Sequence, residues 1–258
     1  MYRKRSFAGT LALLFALCVS EGPHVFAASY TLSGNAGVAK KIDANAGQVI
    51  SSIPDTLKQR LVACTACHGP EGRATPEGYF PRIAGKPAGY LYHQLINFRE
   101  GRRTSPMMSY MVKHLSDDYL KEMADYFSNQ HIAYAPVEPS RLSSEILAKG
   151  QKLVKFGDAS RQIPACAACH GEALMGVAPD IPGLLGLPRD YLRAQLSSWS
   201  NGLRRTVAPD CMAKIARQLT GDDMYAVTAW LASQSIPQDR LDVSTTALKL
   251  PIPCGSVR

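Results

Sequence analysis

Cys64-Thr-Ala-Cys67-His68 and Cys166-Ala-Ala-Cys169-His170 repeat one short pattern about a hundred residues apart in a chain of 258 residues. Two thiols three positions apart lie on one helical turn, where they can form thioethers with the two vinyl groups of a haem. The histidine that follows is then held beneath the iron as a proximal ligand. The pattern therefore predicts two covalently attached haem c groups, one on Cys64, Cys67 and His68 and one on Cys166, Cys169 and His170. A zinc site would need four N/S ligands converging on one ion, and a thiol redox pair expects a βαβ setting. Neither explains a histidine in the same place twice.

The repeat extends beyond the motifs. Pro81-Arg-Ile-Ala-Gly85 precedes Tyr90-Leu91 and Gln94-Leu95, and Pro182-Gly-Leu-Leu-Gly186 precedes Tyr191-Leu192 and Gln195-Leu196, at a constant offset of 101. Each copy continues through an arginine pair, a methionine and a helix start, Leu115-Ser116 in one and Leu219-Thr220 in the other. A period near 100 residues is too long for a solenoid, so each copy reads as a whole domain. Apolar spacing and Ser/Thr caps predict helices over 55–67, 88–100, 116–129, 143–156, 189–200 and 220–233. No alternating β-branched run competes, and the expected class is all-α. The chain divides into an export signal (1–28), an extension without a functional reading (29–54), a first domain (55–134), a linker (135–142), a second domain (143–235) and a tail (236–258).

The N-terminus carries Arg3, Lys4 and Arg5 ahead of a short apolar run at 11–19, the pattern of a secretory signal. Periplasmic export follows, which removes nucleic acid as a partner, and no segment reaches the length of a transmembrane span. The formal charge is +8, and losing the signal's three basic residues and Glu21 leaves +6. That balance suits an acidic redox partner, an anionic membrane surface or a merely soluble face. Cys18 lies in the signal, with Leu17 a poor fit to a lipoprotein cleavage site. Setting aside Cys18 and the four motif cysteines leaves Cys211 and Cys254, an even pair in an oxidising compartment. They are expected to form a disulfide that pins the tail, the alternatives being two free thiols or Cys211 as a haem ligand.

A haem iron with histidine on one side becomes an electron carrier when a second protein ligand closes the other, and methionine there raises the reduction potential. Met107, Met108 and Met111 compete in the first copy. Met108 lies seven residues before Leu115, just as Met212 lies seven before Leu219. The repeat thus selects Met108 and Met212, and leaves Met107, Met111 and Met224 as packing residues.

With these motifs in place the chain resembles the dihaem cytochrome c4 family, two class I cytochrome c domains in tandem, over roughly residues 56–235. The resemblance implies His/Met coordination of each haem, domains related by a pseudo-twofold axis and propionates meeting near their interface. It also implies that the carbonyls of Pro81 and Pro182 accept the Nδ1 protons of His68 and His170, and that electrons pass to a terminal oxidase or another membrane-associated respiratory complex. Nothing in the sequence offers an acid/base pair, so an electron carrier and not an enzyme is expected. One alternative is a dihaem enzyme oxidising a small sulfur anion, similar to the thiosulfate dehydrogenases, with the Cys211 thiolate on the second iron. Another is a cytochrome subunit docked to a dehydrogenase. Arg102, Arg103, Arg204 and Arg205 could face propionates or an acidic partner, with a solvated face as the default.

Overall fold

The computed structural model describes residues 55–137, 140–236 and 249–257. The expected signal with Cys18, the extension, residues 138–139 of the linker and residues 237–248 and 258 of the tail lie outside them. The described residues fall within one compact unit, built of two helical halves. The first half contains α1 (Leu57–Arg60), α2 (Val62–His68), α3 (Ala88–Arg99), α4 (Pro106–Val112) and α5 (Asp117–Ser128). The second contains α6 (Ser144–Phe156), α7 (Ala167–His170), α8 (Arg189–Ser200), α9 (Cys211–Gln218) and α10 (Gly221–Ala232). None of the described helices is long and apolar enough to cross a membrane.

Each half has its own apolar core. Leu61, Leu91, Phe98, Leu120 and Phe127 meet in the first, and Leu153, Val154, Leu192, Val227 and Trp230 in the second. Serine and threonine start the helices as the sequence predicts: Ser116 accepts from the amide of Tyr119, Ser143 from that of Ile146 and Thr220 from that of Asp223.

Three features depart from the sequence reading. The expected helix over 55–67 breaks at Leu61, which leaves helical geometry (φ −85°, ψ 3°) while its side chain is buried; burying that one leucine outweighs the continuity of a short helix. The segments holding Met108 and Met212, which lie outside the expected helices, form α4 and α9. The fold also contains a two-stranded antiparallel ribbon, β1 (Gly176–Val177) with β2 (Ile181–Pro182), too short for any periodicity to reveal.

Asp223 ties the end of the second half together. Its carboxylate closes a capping box with Thr220 and reaches Arg161 at 2.6 Å and Lys149 at 3.0 Å, with a side chain 3% exposed. Burial opposes its ionisation, but the bonds from Arg161, the Thr220 amide and Lys149 outweigh it and hold the carboxyl well below the usual carboxylate range. A depressed folded-state pKa contributes stability that is complete above the unfolded value near 4 and is lost as pH falls toward the folded one. Asp223→Asn is therefore expected to destabilise the protein by about 2 kcal/mol at pH 7, since one partner of a largely buried network is removed while its cations stay partly solvated. Urea unfolding at pH 7 and pH 3 checks this: the difference between parent and variant should shrink at the lower pH.

Candidate haem sites

Both motif histidines end short helices and turn inward. His68 and His170 are each 8% exposed, and Gly69 and Gly171 behind them adopt φ of 76° and 82°, a left-handed reversal that glycine permits. His68 Nδ1 lies 2.8 Å from the Pro81 carbonyl, and His170 Nδ1 lies 2.8 Å from that of Pro182. A carbonyl only accepts, so Nδ1 carries the proton and Nε2 presents its lone pair. Burial lowers the pKa of both rings, which the carbonyl bonds oppose and Arg103 (for His68) and Lys86 (for His170) reinforce. A neutral imidazole with a fixed tautomer is the form that ligates a metal.

The four motif thiols are unbonded to one another. Burial pushes Cys166 up to about 12 and also raises Cys64 and Cys169. Reactive redox pairs have the opposite environment, one that lowers the thiol pKa. Among the described residues no group of three or more His, Cys, Asp or Glu side chains could hold a metal ion, which leaves the zinc reading without ligands there.

Met108 lies on α4 and Met212 on α9. A continuous, mostly apolar cavity of about 910 Å³ is lined by Cys64, Cys67, His68 and Met108 from the first half and by Cys166, Cys169, His170 and Met212 from the second. Pro106 opens α4 and Asp210 caps α9 by accepting from the Ala213 amide. Met107 is 62% exposed and Met111 37%, so neither is the packing residue expected of it, whereas Met108 packs against the first core. Met224 is buried and its sulfur accepts from Ser197 Oγ at 3.8 Å, the packing role expected of it.

Cys211 and Cys254 form a disulfide. It pins the tail beside α9, where the Gly255 amide donates to the Pro209 carbonyl at 2.9 Å and Leu250, Ile252 and Val257 join the cavity wall. No thiol remains at position 211 to ligate an iron.

Of the four arginines, Arg205 is exposed as the default reading has it. Arg204 departs from that default: it is 4% exposed and bonds Gln195 at 2.8 Å, Gln94 at 2.8 Å and Tyr90 at 3.2 Å. Arg103 reaches Gln94 at 3.0 Å, Gln195 at 2.9 Å and Tyr191 at 3.4 Å. The backbones of Arg103 and Arg204 meet in an antiparallel bridge between the halves, and the guanidinium groups stack on Phe98 and Trp199 at 4.5 and 3.7 Å. These acceptors are neutral amides and phenols, so two cations stand together beside the cavity. Acidic groups entering it would supply the missing counter-charge. Haem fits this chemistry twice over, with Nε2 lone pairs for iron and guanidinium groups for propionates. The sequence marked Tyr90, Gln94, Tyr191 and Gln195 only as repeat positions; their identity in both halves was the available signal that one pseudo-symmetric cluster uses all four.

A protein-family model for cytochrome c matches residues 147–235. A cytochrome c4 of Pseudomonas aeruginosa is 30% identical over 191 residues, covering 73% of this chain and 87% of the relative. The chain belongs to the dihaem cytochrome c4 family. The structure of reduced recombinant cytochrome c4 from Pseudomonas stutzeri superposes with a TM-score of 0.58 at 28% identity, covering 69% of this chain and 96% of that one. A thiosulfate dehydrogenase electron acceptor of Thiomonas intermedia is 35% identical over 174 residues, covering 67% of this chain and 79% of the relative. As a cytochrome c4 the chain binds two covalent haem c groups and carries electrons.

Proposed function

We propose that this cytochrome c4 is an exported carrier whose two domains, 55–134 and 143–235 joined by 135–142, take electrons from a dehydrogenase acting on a small sulfur anion and pass them to a respiratory acceptor such as a terminal oxidase. Cys64, Cys67, His68 and Met108 hold one haem; Cys166, Cys169, His170 and Met212 hold the other. Bound haem supplies a one-electron Fe(III)/Fe(II) couple. The chain's part would be to hold the haems through His68, Met108, His170 and Met212, exclude water and keep the charges around the couple fixed. Pro81 and Pro182 orient the imidazoles, α4 and α9 present the sulfurs, and Arg103 and Arg204 offer one shared positive cluster to acidic groups from both sides.

The observation that carries the reading is the pairing, within each half, of a buried histidine locked by a proline carbonyl and a methionine helix on the same cavity. The 35% identity to a protein named as an electron acceptor of thiosulfate dehydrogenase supports the choice of donor. The Cys211–Cys254 disulfide weighs against the chain being that enzyme itself, because the thiolate such an active site would use is already bonded.

The test mixes the oxidised dihaem protein with thiosulfate, with and without a purified thiosulfate dehydrogenase, and follows the haem absorption. Reduction only when the dehydrogenase is present is expected. Reduction by thiosulfate alone would make the chain an enzyme, and no reduction in either mixture would remove the proposed donor.

A further inference from the structure

Lys86 belongs to the first half, yet its side chain ends inside the second. It is 4% exposed, and its Nζ donates to the Gly183 carbonyl at 3.1 Å. Gly183 directly follows Pro182, whose own carbonyl receives the Nδ1 proton of His170. The loop is fixed there: a Cβ at Gly183 would lie 2.5 Å from the Met175 carbonyl oxygen, so the strand carrying Pro182 is pressed against the segment before it.

The repeat shows that this placement has no mirror image. The position 101 residues after Lys86 is Leu187, which is buried and uncharged, so the second half has no cation at the matching position. Arg82, the other buried cation of this region, turns away toward the carbonyl oxygens of Ile132 and Ala133 and lies 3.9 Å over the Tyr134 ring. Arg103 and Arg204 share partners from both halves and do not distinguish them. Asp180 carries the opposing charge on the same loop, and its carboxylate faces His93 Nδ1 at 3.7 Å.

We infer that Lys86 is a positioning residue for electrons: its ammonium, inserted from the first half beside the proximal loop of the second, raises the reduction potential of the haem held by His170 and biases the electron toward that haem. The inference rests on the dihaem assignment above. Reduction brings one electron from the donor to an Fe(III) centre and breaks no bond, so the charge at the iron falls by one. A fixed positive charge in a poorly screened interior favours the reduced state, and it acts most on the nearer iron. Burial, with Arg82 adding to it, pulls the ammonium down to about 8, which leaves it largely protonated at neutral pH.

The experiment is a potentiometric titration of the full dihaem protein followed by EPR, comparing the parent with K86M, K86L and K86R. K86M keeps the length of the side chain, K86L installs the repeat's own residue, and K86R retains the charge. The two neutral variants should shift the reduction equilibrium of the second haem about tenfold toward the oxidised form, which for a one-electron couple is about 59 mV. The first haem should stay in place, and K86R should keep the parent potentials. Unmoved potentials in K86M and K86L, or equal shifts at both haems, would overturn the inference and leave Lys86 a packing residue. A haem-to-protein ratio of one in the parent would instead overturn the dihaem assignment on which it rests.

Discussion

Met212→Ala lowers the reduction potential of the second haem by about 0.1 V or more and leaves the first nearly unchanged; Met108→Ala does the reverse. Axial ligands and their surroundings control potentials over a span of roughly 0.8 V, and losing a thioether removes a ligand that favours the reduced iron. The selectivity follows from geometry. Met108 rides on α4 of the first half and Met212 on α9 of the second, each at the same distance in sequence from the next helix, and both line the cavity that His68 and His170 share. The vacated position should accept cyanide or imidazole, seen as a shifted absorption band in that half alone. Met107→Ala is the control, because its side chain is 62% exposed, and it should move neither potential. A spectrum that stayed constant in Met108→Ala but changed in Met107→Ala would transfer the ligand to the neighbouring residue.

The second large effect is on stability. Gly150 sits where α6 crosses α10, and a Cβ there would stand 2.1 Å from the Ala226 carbonyl oxygen and 2.9 Å from Trp230 Cβ. The obstructing oxygen belongs to a helix backbone and cannot rotate away, so the two helices must separate to admit a single methyl group. Gly150→Ala gains about 1 kcal/mol of helix propensity, yet separating the packed helices should leave a net loss of about 3 kcal/mol. Because α10 also carries Val227 and Trp230 of the second core, the loss should appear as melting of the second half before the first. Thermal unfolding followed at the haem bands checks this. Gly221→Ala provides the contrast, since nothing lies within 4 Å of a Cβ at that position, and it should be neutral or slightly stabilising. Equal melting temperatures for the two variants would mean that the helix crossing tolerates the methyl group.

Much of this site was legible from residues alone, and the reason is physical. Covalent haem attachment requires cysteines and histidine at fixed spacing, so His68 and His170 announce themselves. The proposed distal ligands do not: methionine serves equally as core filler, and only the doubled register against Leu115 and Leu219 favours Met108 over Met107. The helices that carry them escaped notice because seven or eight residues hold too few turns for an apolar period to emerge. Pro106 and Asp210, a proline and a cap at their starts, were the signals available. For Arg204 a solvated face was the default beside propionates or an acidic partner, because a charge cluster next to a turn is usually solvated. Its burial depends on Gln94 and Tyr90, which lie over a hundred positions away in the other half. Lys86 escaped for the same reason: its partner, Gly183, is a backbone carbonyl, and backbone carbonyls leave no trace in sequence.

The most direct measurement of the central claim is low-temperature EPR combined with near-infrared magnetic circular dichroism on the fully oxidised protein, which together report the axial ligands of both irons. Two His/Met signatures in equal amounts are predicted, from His68 with Met108 and from His170 with Met212. A His/thiolate signature on either iron would contradict the account, because it would require an unbonded Cys211 and turn the second haem into a reaction centre.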